Sequence, residues 1–232
     1  MLSRCLRPAL GPWRTFAPSV ASRSLITISQ SLNESYTTHK IVPDVVDEFD
    51  TQGLLSVDYD NGNRVTLGNE LAVDATQNTP RVSFTLNSPN QDGTTESFEP
   101  EDKFMVVLTD PDAPSNHDHK WSEYCHWIAT DIPLSPPANK EDVIHTLDIA
   151  NATQLVPYEG PAPPPSTGKH RYVFLLYKQA QAAKLHPPKD RPTWGTGVAG
   201  SGVRDWINKY GAGSKLLGVN FFYAKNPVQE ES

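Results

Sequence analysis

Sulfur is scarce in this chain of 232 residues, which holds two Cys and two Met. Cys5 lies near the amino end and Cys125 mid-chain, so a form shortened at its amino end keeps one thiol and no internal disulfide. A reducing compartment or organelle matrix fits that usage better than secretion. The sequons Asn33-Glu34-Ser35 and Asn151-Ala152-Thr153 then read as chance matches. No run of 18 apolar residues occurs, which removes a membrane-spanning helix as an expectation. A basic excess is missing too. Lys and Arg number 20 against 27 Asp and Glu, a formal charge of −7. That balance argues against nucleic acid as the main partner, because phosphate neutralisation needs a basic surface.

Acid is absent from residues 1–33, which carry Arg4, Arg7, Arg14 and Arg23. The remaining 199 residues hold 16 basic and 27 acidic side chains, a net −11. An Arg-rich, Ser-containing, acid-free start without a continuous apolar stretch is the composition of an organelle transit peptide. The expectation is a leader over residues 1–27, addressed to the mitochondrion, ahead of one domain over 28–232. An extension with no targeting role, in a cytoplasmic protein, is the alternative.

What the chain does contain is strand signal. The hydrophobic fraction is 37 %, enough for one sizeable core, and the 21 Pro belong in loops and strand ends rather than helix interiors. Leu54 to Tyr59 and Arg64 to Leu67 flank Asp60-Asn61-Gly62-Asn63, a turn signal between two β-rich runs. Arg81 to Leu86 alternates, with Val82, Phe84 and Leu86 on one face. Phe104-Met105-Val106-Val107-Leu108 and Tyr172-Val173-Phe174-Leu175-Leu176-Tyr177 are unbroken apolar runs, which places them centrally in a sheet covered on both faces. Val219 to Tyr223 reads as a last strand. Two helices are expected. Ile28, Leu32 and Tyr36 form the face of one, stopped by Pro43; Val203, Trp206, Ile207 and Tyr210 form the stripe of the other, capped by Ser201 and closed by Gly211. The fold class is mainly β, an antiparallel β-sandwich with peripheral helices.

Three segments carry chemistry. Asp110-Pro111-Asp112-Ala113-Pro114-Ser115 follows the first apolar run, and its prolines hold two carboxylates in fixed directions. In Trp121-Ser122-Glu123-Tyr124-Cys125-His126-Trp127-Ile128, period two sets Tyr124, His126 and Ile128 on one face and Cys125 and Trp127 on the other. Gly160-Pro161-Ala162-Pro163-Pro164-Pro165-Ser166-Thr167-Gly168-Lys169-His170 delivers His170 to the start of the second apolar run. If the two runs pair antiparallel, Asp110, Asp112 and His170 converge at one end of the sheet, within reach of His126. Taken singly, each segment has a plainer reading: an acidic surface turn, a hydrogen-bonded core histidine, a rigid loop. Together they make an anion pocket. Two imidazoles donate to a phosphate or carboxylate, a carboxylate stands behind each ring, and backbone N–H groups of the Gly-containing loop add donors.

Other chemistries fit less well. Asp110, Asp112, His117, His119 and His126 are suitable metal-ligand types, yet His117-Asp118-His119 sits in a polar stretch that reads as a solvated loop. Cys125 lies mid-strand with no activating neighbour. No Gly-x-Ser-x-Gly elbow exists. Gly195-Thr196-Gly197-Val198-Ala199-Gly200 matches a dinucleotide fingerprint but follows no buried strand. No cofactor is expected, and no catalytic residue is assigned.

The first segment, the Trp121 to His126 stretch and the Gly160 to Tyr172 stretch resemble the two signature regions of the phosphatidylethanolamine-binding protein family, in order and spacing, across roughly Tyr36 to Tyr223. Asp118-His119-Lys120-Trp121-Ser122-Glu123, Asp190-Arg191-Pro192-Thr193-Trp194-Gly195 and Asn220-Phe221-Phe222-Tyr223-Ala224 are similar to its fungal carboxypeptidase Y inhibitor branch. The resemblance implies a non-enzymatic regulatory protein that binds a phosphate-bearing lipid head group or other small anion. Its implied pocket residues are Asp110, Asp112, Tyr124, His126, Gly160, Pro163, His170 and Tyr172. The implied partners are a serine carboxypeptidase or a protein of Ras or kinase signalling; a structural subunit of a mitochondrial assembly is the alternative. In the inhibitory branch a free, modified amino terminus takes part in the contact, whereas here residues 1–30 precede the matching Ser31–His39 segment.

Overall fold

The computed structural model describes residues 28–87, 97–135 and 144–228; the expected leader lies outside them. In chain order the elements are α1 Ile28–Thr38, α2 Ile41–Asp44, β1 Gly53–Asp58, β2 Asn69–Glu70, β3 Arg81–Leu86 and β4 Phe104–Asp110. There follow β5 Tyr124–Ile132, β6 Ile144–Thr146, β7 Thr153–Val156, β8 His170–Lys178, α3 Val203–Tyr210 and β9 Lys215–Ala224.

The two unbroken apolar runs, β4 and β8, lie side by side and antiparallel, with Val107 opposite Leu175 and Leu108 opposite Phe174. They occupy the middle of a six-stranded sheet ordered β2-β9-β8-β4-β5-β7. Every residue of β4 is buried because both faces of the sheet are covered. Val106, Leu108, Phe174 and Leu176 join Leu55, Val57, Val82 and Phe84 of a three-stranded sheet, β1-β3-β6, in one core cluster. Met105, Val107, Val173 and Leu175 point the other way, into a cluster with Leu32, Tyr36, Val203 and Trp206 of the helices. The protein is thus mainly β, with few helices, and all strand pairs except the two-residue β2/β9 pair are antiparallel.

Four local expectations need correction. Arg64 to Leu67 forms no strand and meets β1 only at an Asp58–Arg64 bridge. The chain there is drawn off toward β9: Asn220 Oδ1 accepts from Leu67 N at 3.0 Å, and Phe221 O accepts from Gly68 N at 2.8 Å. Gly68 has φ +105° with Phe221 and His39 packed against its α-carbon, a conformation and a clearance that suit glycine. In α1, Leu32 and Tyr36 are buried but Ile28 is 67 % exposed, one turn beyond the reach of the sheet. That helix ends at Thr38 rather than at Pro43; Val42 is extended, as a residue before proline prefers.

At α3 the capping position is Gly202, not Ser201. The terminus is satisfied from a distance instead. Glu123 Oε2 accepts from Val203 N at 3.4 Å and from Thr109 Oγ1 at 2.8 Å, while Ser201 O accepts from Glu123 N at 2.7 Å. A side chain on Gly202 would collide with the Glu123 carboxyl.

Burial pushes the Glu123 carboxyl up to about 8, against the lowering pull of its Thr109 and Val203 hydrogen bonds. Between its ordinary 4.5 and about 8 the folded chain therefore holds a proton that the unfolded chain has released. Glu123 thus makes stability greatest at low pH and lets it decline as pH rises toward about 8. Glu123→Gln removes that slope. The stability difference between variant and native protein should shift in the variant's favour from pH 5 to pH 8, by on the order of a few kcal/mol. Urea midpoints at the two pH values measure it; a constant difference would contradict the assignment.

Candidate functional site

The register of β4 against β8 sets the end of one strand beside the start of the other. Asp110 closes β4 and His170 opens β8, and His170 Nδ1 lies 2.8 Å from Asp110 Oδ2. Asp110 Oδ1 accepts from Asp112 N at 2.7 Å, which fixes the carboxylate. Successive strand residues face opposite ways, so Arg171 leaves the sheet on the far side from His170, and Asp112 goes with it. Arg171 donates to Asp112 through Nε at 2.9 Å, Nη2 at 2.7 Å and its backbone N at 2.8 Å. Its Nη1 reaches Asp44 and the carbonyls of His39 and Lys40, tying the α1–α2 segment to the sheet end. Asp112 therefore stands behind neither His126 nor His170; the imidazole near it is that of His119, at 4.0 Å.

His126 arrives by a β-bulge. Leu108 pairs with Trp127 and Thr109 with Cys125, so His126 is an extra residue on β5. The expected alternation breaks there. Trp127 turns into the core between the sheets, while Ile128 joins Cys125 on the helix side rather than Tyr124 and His126. Nδ1 of His126 lies 2.9 Å from the backbone oxygen of Glu159, so a carbonyl, not a carboxylate, orients this ring.

These side chains bound a cavity of about 150 Å³. Asp110, Tyr124, His126, His170 and Tyr172 line it together with Glu159, and its walls are Ala113, Pro114, Trp121, Ala162, Pro163 and Pro164. Six residues of the lining were not expected: Ala113, Pro114, Trp121, Glu159, Ala162 and Pro164 belong to or adjoin the quoted segments by position alone, and only Trp121, 42 % exposed, carried an independent signal as a bulky aromatic in a polar stretch. Gly160 does not line the cavity. It is buried under the Gln77 amide, whose Nε2 donates to Pro161 O at 2.9 Å and so fixes the loop from outside.

Electrostatics set the protonation of the lining. Burial lowers His126 below its ordinary 6.5, outweighing the raising effect of Asp110 and Glu159. Burial, then the neighbouring Glu159 carboxylate, pushes Tyr124 up to about 12; its hydroxyl donates to Glu159 Oε1 at 3.1 Å. Glu159 Oε2 also meets Arg191 Nε at 2.8 Å. Tyr172 is raised above its ordinary value by burial and then by the Asp110 and Asp112 carboxylates, against the lowering pull of a backbone hydrogen bond at Ala162.

One arrangement resembles a hydrolytic relay. Thr167 Oγ1 lies 3.0 Å from His170 Nε2, which backs onto Asp110. Yet the single Thr167 hydroxyl proton serves Pro164 O at 2.8 Å, and Pro114, Pro163 and Pro164 have no N–H to stabilise an oxyanion. Cys125 is buried, and burial pushes its thiol up and away from thiolate. Among the described residues no group of three or more His, Cys, Asp or Glu is placed to hold a metal ion, and no helix is long and apolar enough to cross a membrane.

The chain belongs to the phosphatidylethanolamine-binding protein family, whose model matches residues 59–222. It is 38 % identical over 215 residues to the carboxypeptidase Y inhibitor of Saccharomyces cerevisiae, covering 86 % of this chain and 97 % of that protein. Protein CENTRORADIALIS of Antirrhinum majus is 36 % identical over 154 residues, 64 % of this chain and 72 % of its own. Among solved structures, a carboxypeptidase Y inhibitor complexed with its cognate proteinase superposes with a TM-score of 0.77 at 38 % identity, covering 86 % of this chain and 97 % of that one.

Arg171 is buried with its carboxylate partner, so removing one member strands the other. Asp112→Ala is expected to cost about 3–5 kcal/mol of stability, read from denaturant unfolding. A loss under 1 kcal/mol would mean that the pair does not hold this end of the sheet.

Proposed function

We propose that the protein is a non-enzymatic binding and inhibitory protein: its cavity takes a phosphate-bearing head group or similar small anion, and the chain inhibits a serine carboxypeptidase of the carboxypeptidase Y type. The likeness to the yeast inhibitor over 97 % of that protein's length carries the second half of this reading. The cavity supports the first. Asp110, Tyr124, His126, Pro163, His170 and Tyr172 are its proposed ligand-binding residues, with Asp112 and Gly160 acting on them through the loops they fix. The absence of a free nucleophile around either imidazole, among the described residues, favours binding over turnover. We read the two sheets with their shared core as a sandwich, a rigid frame that holds the cavity at one end.

Residues 1–27 are proposed as an import leader. Their fate bears on the inhibitory contact, because an amino-terminal extension stands in front of α1.

The test titrates carboxypeptidase Y with the full chain and with a chain beginning at Ile28. Stoichiometric loss of peptidase activity with either form supports the reading. Full activity with both, at a tenfold excess over the peptidase, would reject inhibition while leaving the cavity to be tested separately.

A further inference from the structure

At His126 the proposed cavity presents an acceptor rather than a donor. Glu159 O can only accept, so the His126 nitrogen beside it, Nδ1, carries a hydrogen. In the neutral ring that leaves Nε2 as a bare lone pair, and among the described residues nothing hydrogen-bonds it. Several other polar groups of the lining already have partners. Tyr124 donates to Glu159, the Tyr172 oxygen meets the Ala162 backbone, and the two nitrogens of His170 meet Asp110 and Thr167. The prolines of the wall have no N–H. Two carboxylates, Asp110 and Glu159, border the space. At His126 a fully deprotonated anion would meet a lone pair, with the charge of these two carboxylates close by.

Resting on the anion-binding reading above, we infer that the cavity holds its anion together with one proton: a phosphate that keeps a P–OH donates it to His126 Nε2, and an anion with no proton of its own binds only as His126 takes one up. The proton is shared between a ligand oxygen and Nε2, whichever side formally carries it. Phosphate and its monoesters have an ionisation near neutrality, about 6 for the second step of a monoester. Sulfate and phosphodiesters have none there.

The groups facing His126 agree with a ring that is neutral when the cavity is empty. Asp110 on β4 and Glu159 on the loop after β7 favour its charged form, Arg191 opposes it, and burial prevails. The Tyr124 and Tyr172 rings pack on it at 4.9 and 5.2 Å between centroids, and His170 stands beyond Tyr172. Arg191 brings no donor into the space. Its Nη1 serves the carbonyls of Cys125 and His126, and its Nη2 that of Pro157.

Calorimetric titration of the full chain tests this with inorganic phosphate, sulfate and dimethyl phosphate, the last standing for a lipid phosphodiester. Runs at pH 5.5, 6.5 and 7.5, in buffers of different ionisation enthalpy, count the protons taken up. Phosphate is expected to bind roughly tenfold or more tightly than the other two at pH 7.5. Sulfate and dimethyl phosphate should gain up to about tenfold per pH unit on acidification, each with uptake of one proton. In His126→Gln, whose amide offers an acceptor and a donor, phosphate and sulfate should bind within about threefold at every pH, without proton uptake. Equal affinities in the native protein at pH 7.5 with no proton uptake would overturn the inference and leave anion binding intact. Failure of all three anions to bind at any pH would overturn anion binding as well.

Discussion

The site rests on the pairing of β4 with β8. That register, Leu108 against Phe174 and Thr109 against Val173, is held by side chains packed on both faces of the sheet. A slip of one residue would exchange the side chains of the two packed faces, so the two cores together keep Asp110 opposite the start of β8. The 2.8 Å contact between Asp110 and His170 is the visible result. Position here is set by burial of apolar surface, and the polar groups inherit it.

Strand alternation then divides the polar work at the sheet end. His170 and Asp110 turn toward the cavity, while Arg171 and Asp112 turn toward α1 and α2. Adjacent residues thus serve two tasks, one facing the cavity and one anchoring the amino-terminal helices. Burying an ion pair is not in itself a gain in stability. Its use here is directional: Arg171 can satisfy its donors only if the chain at His39, Lys40 and Asp44 stays where it is. The loop prolines act in the same sense, holding the cavity walls without offering the backbone donors that acyl-transfer chemistry would need.

Membership of the phosphatidylethanolamine-binding protein family and the cavity's chemistry point the same way. A small, walled space bounded by imidazole, phenol and carboxylate suits the compact polar group proposed for it. The bulge at His126 is the device that makes the space. By adding one residue to β5 it turns an imidazole out of the core and leaves Trp127 to fill the core in its stead.

Much of this was legible in the linear order of residues, and the physical reason is locality. Unbroken apolar runs at 104–108 and 172–177 announce central strands, and Val82 and Phe84 alternate as a half-buried strand must; β3 spans the expected 81–86. The convergence of Asp110 and His170 followed from antiparallel pairing alone. Contacts between distant segments were not legible. The capture of Leu67 and Gly68 by β9 cancelled a hairpin that the local turn signal favoured. Glu123 caps α3 across 80 residues of chain, and Arg171 claims Asp112 from across the sheet end. Periodicity cannot reveal an extra residue in a ladder, because a bulge exists only relative to the neighbouring strand; hence the face of His126 was expected but those of Trp127 and Ile128 were not. By itself the sequence determined which segments pair and which side chains carry chemistry, since hydrophobic spacing and backbone restraint act within a few residues. Only the tertiary structure decided which donor meets which acceptor, since that depends on distances between segments that no local rule sets.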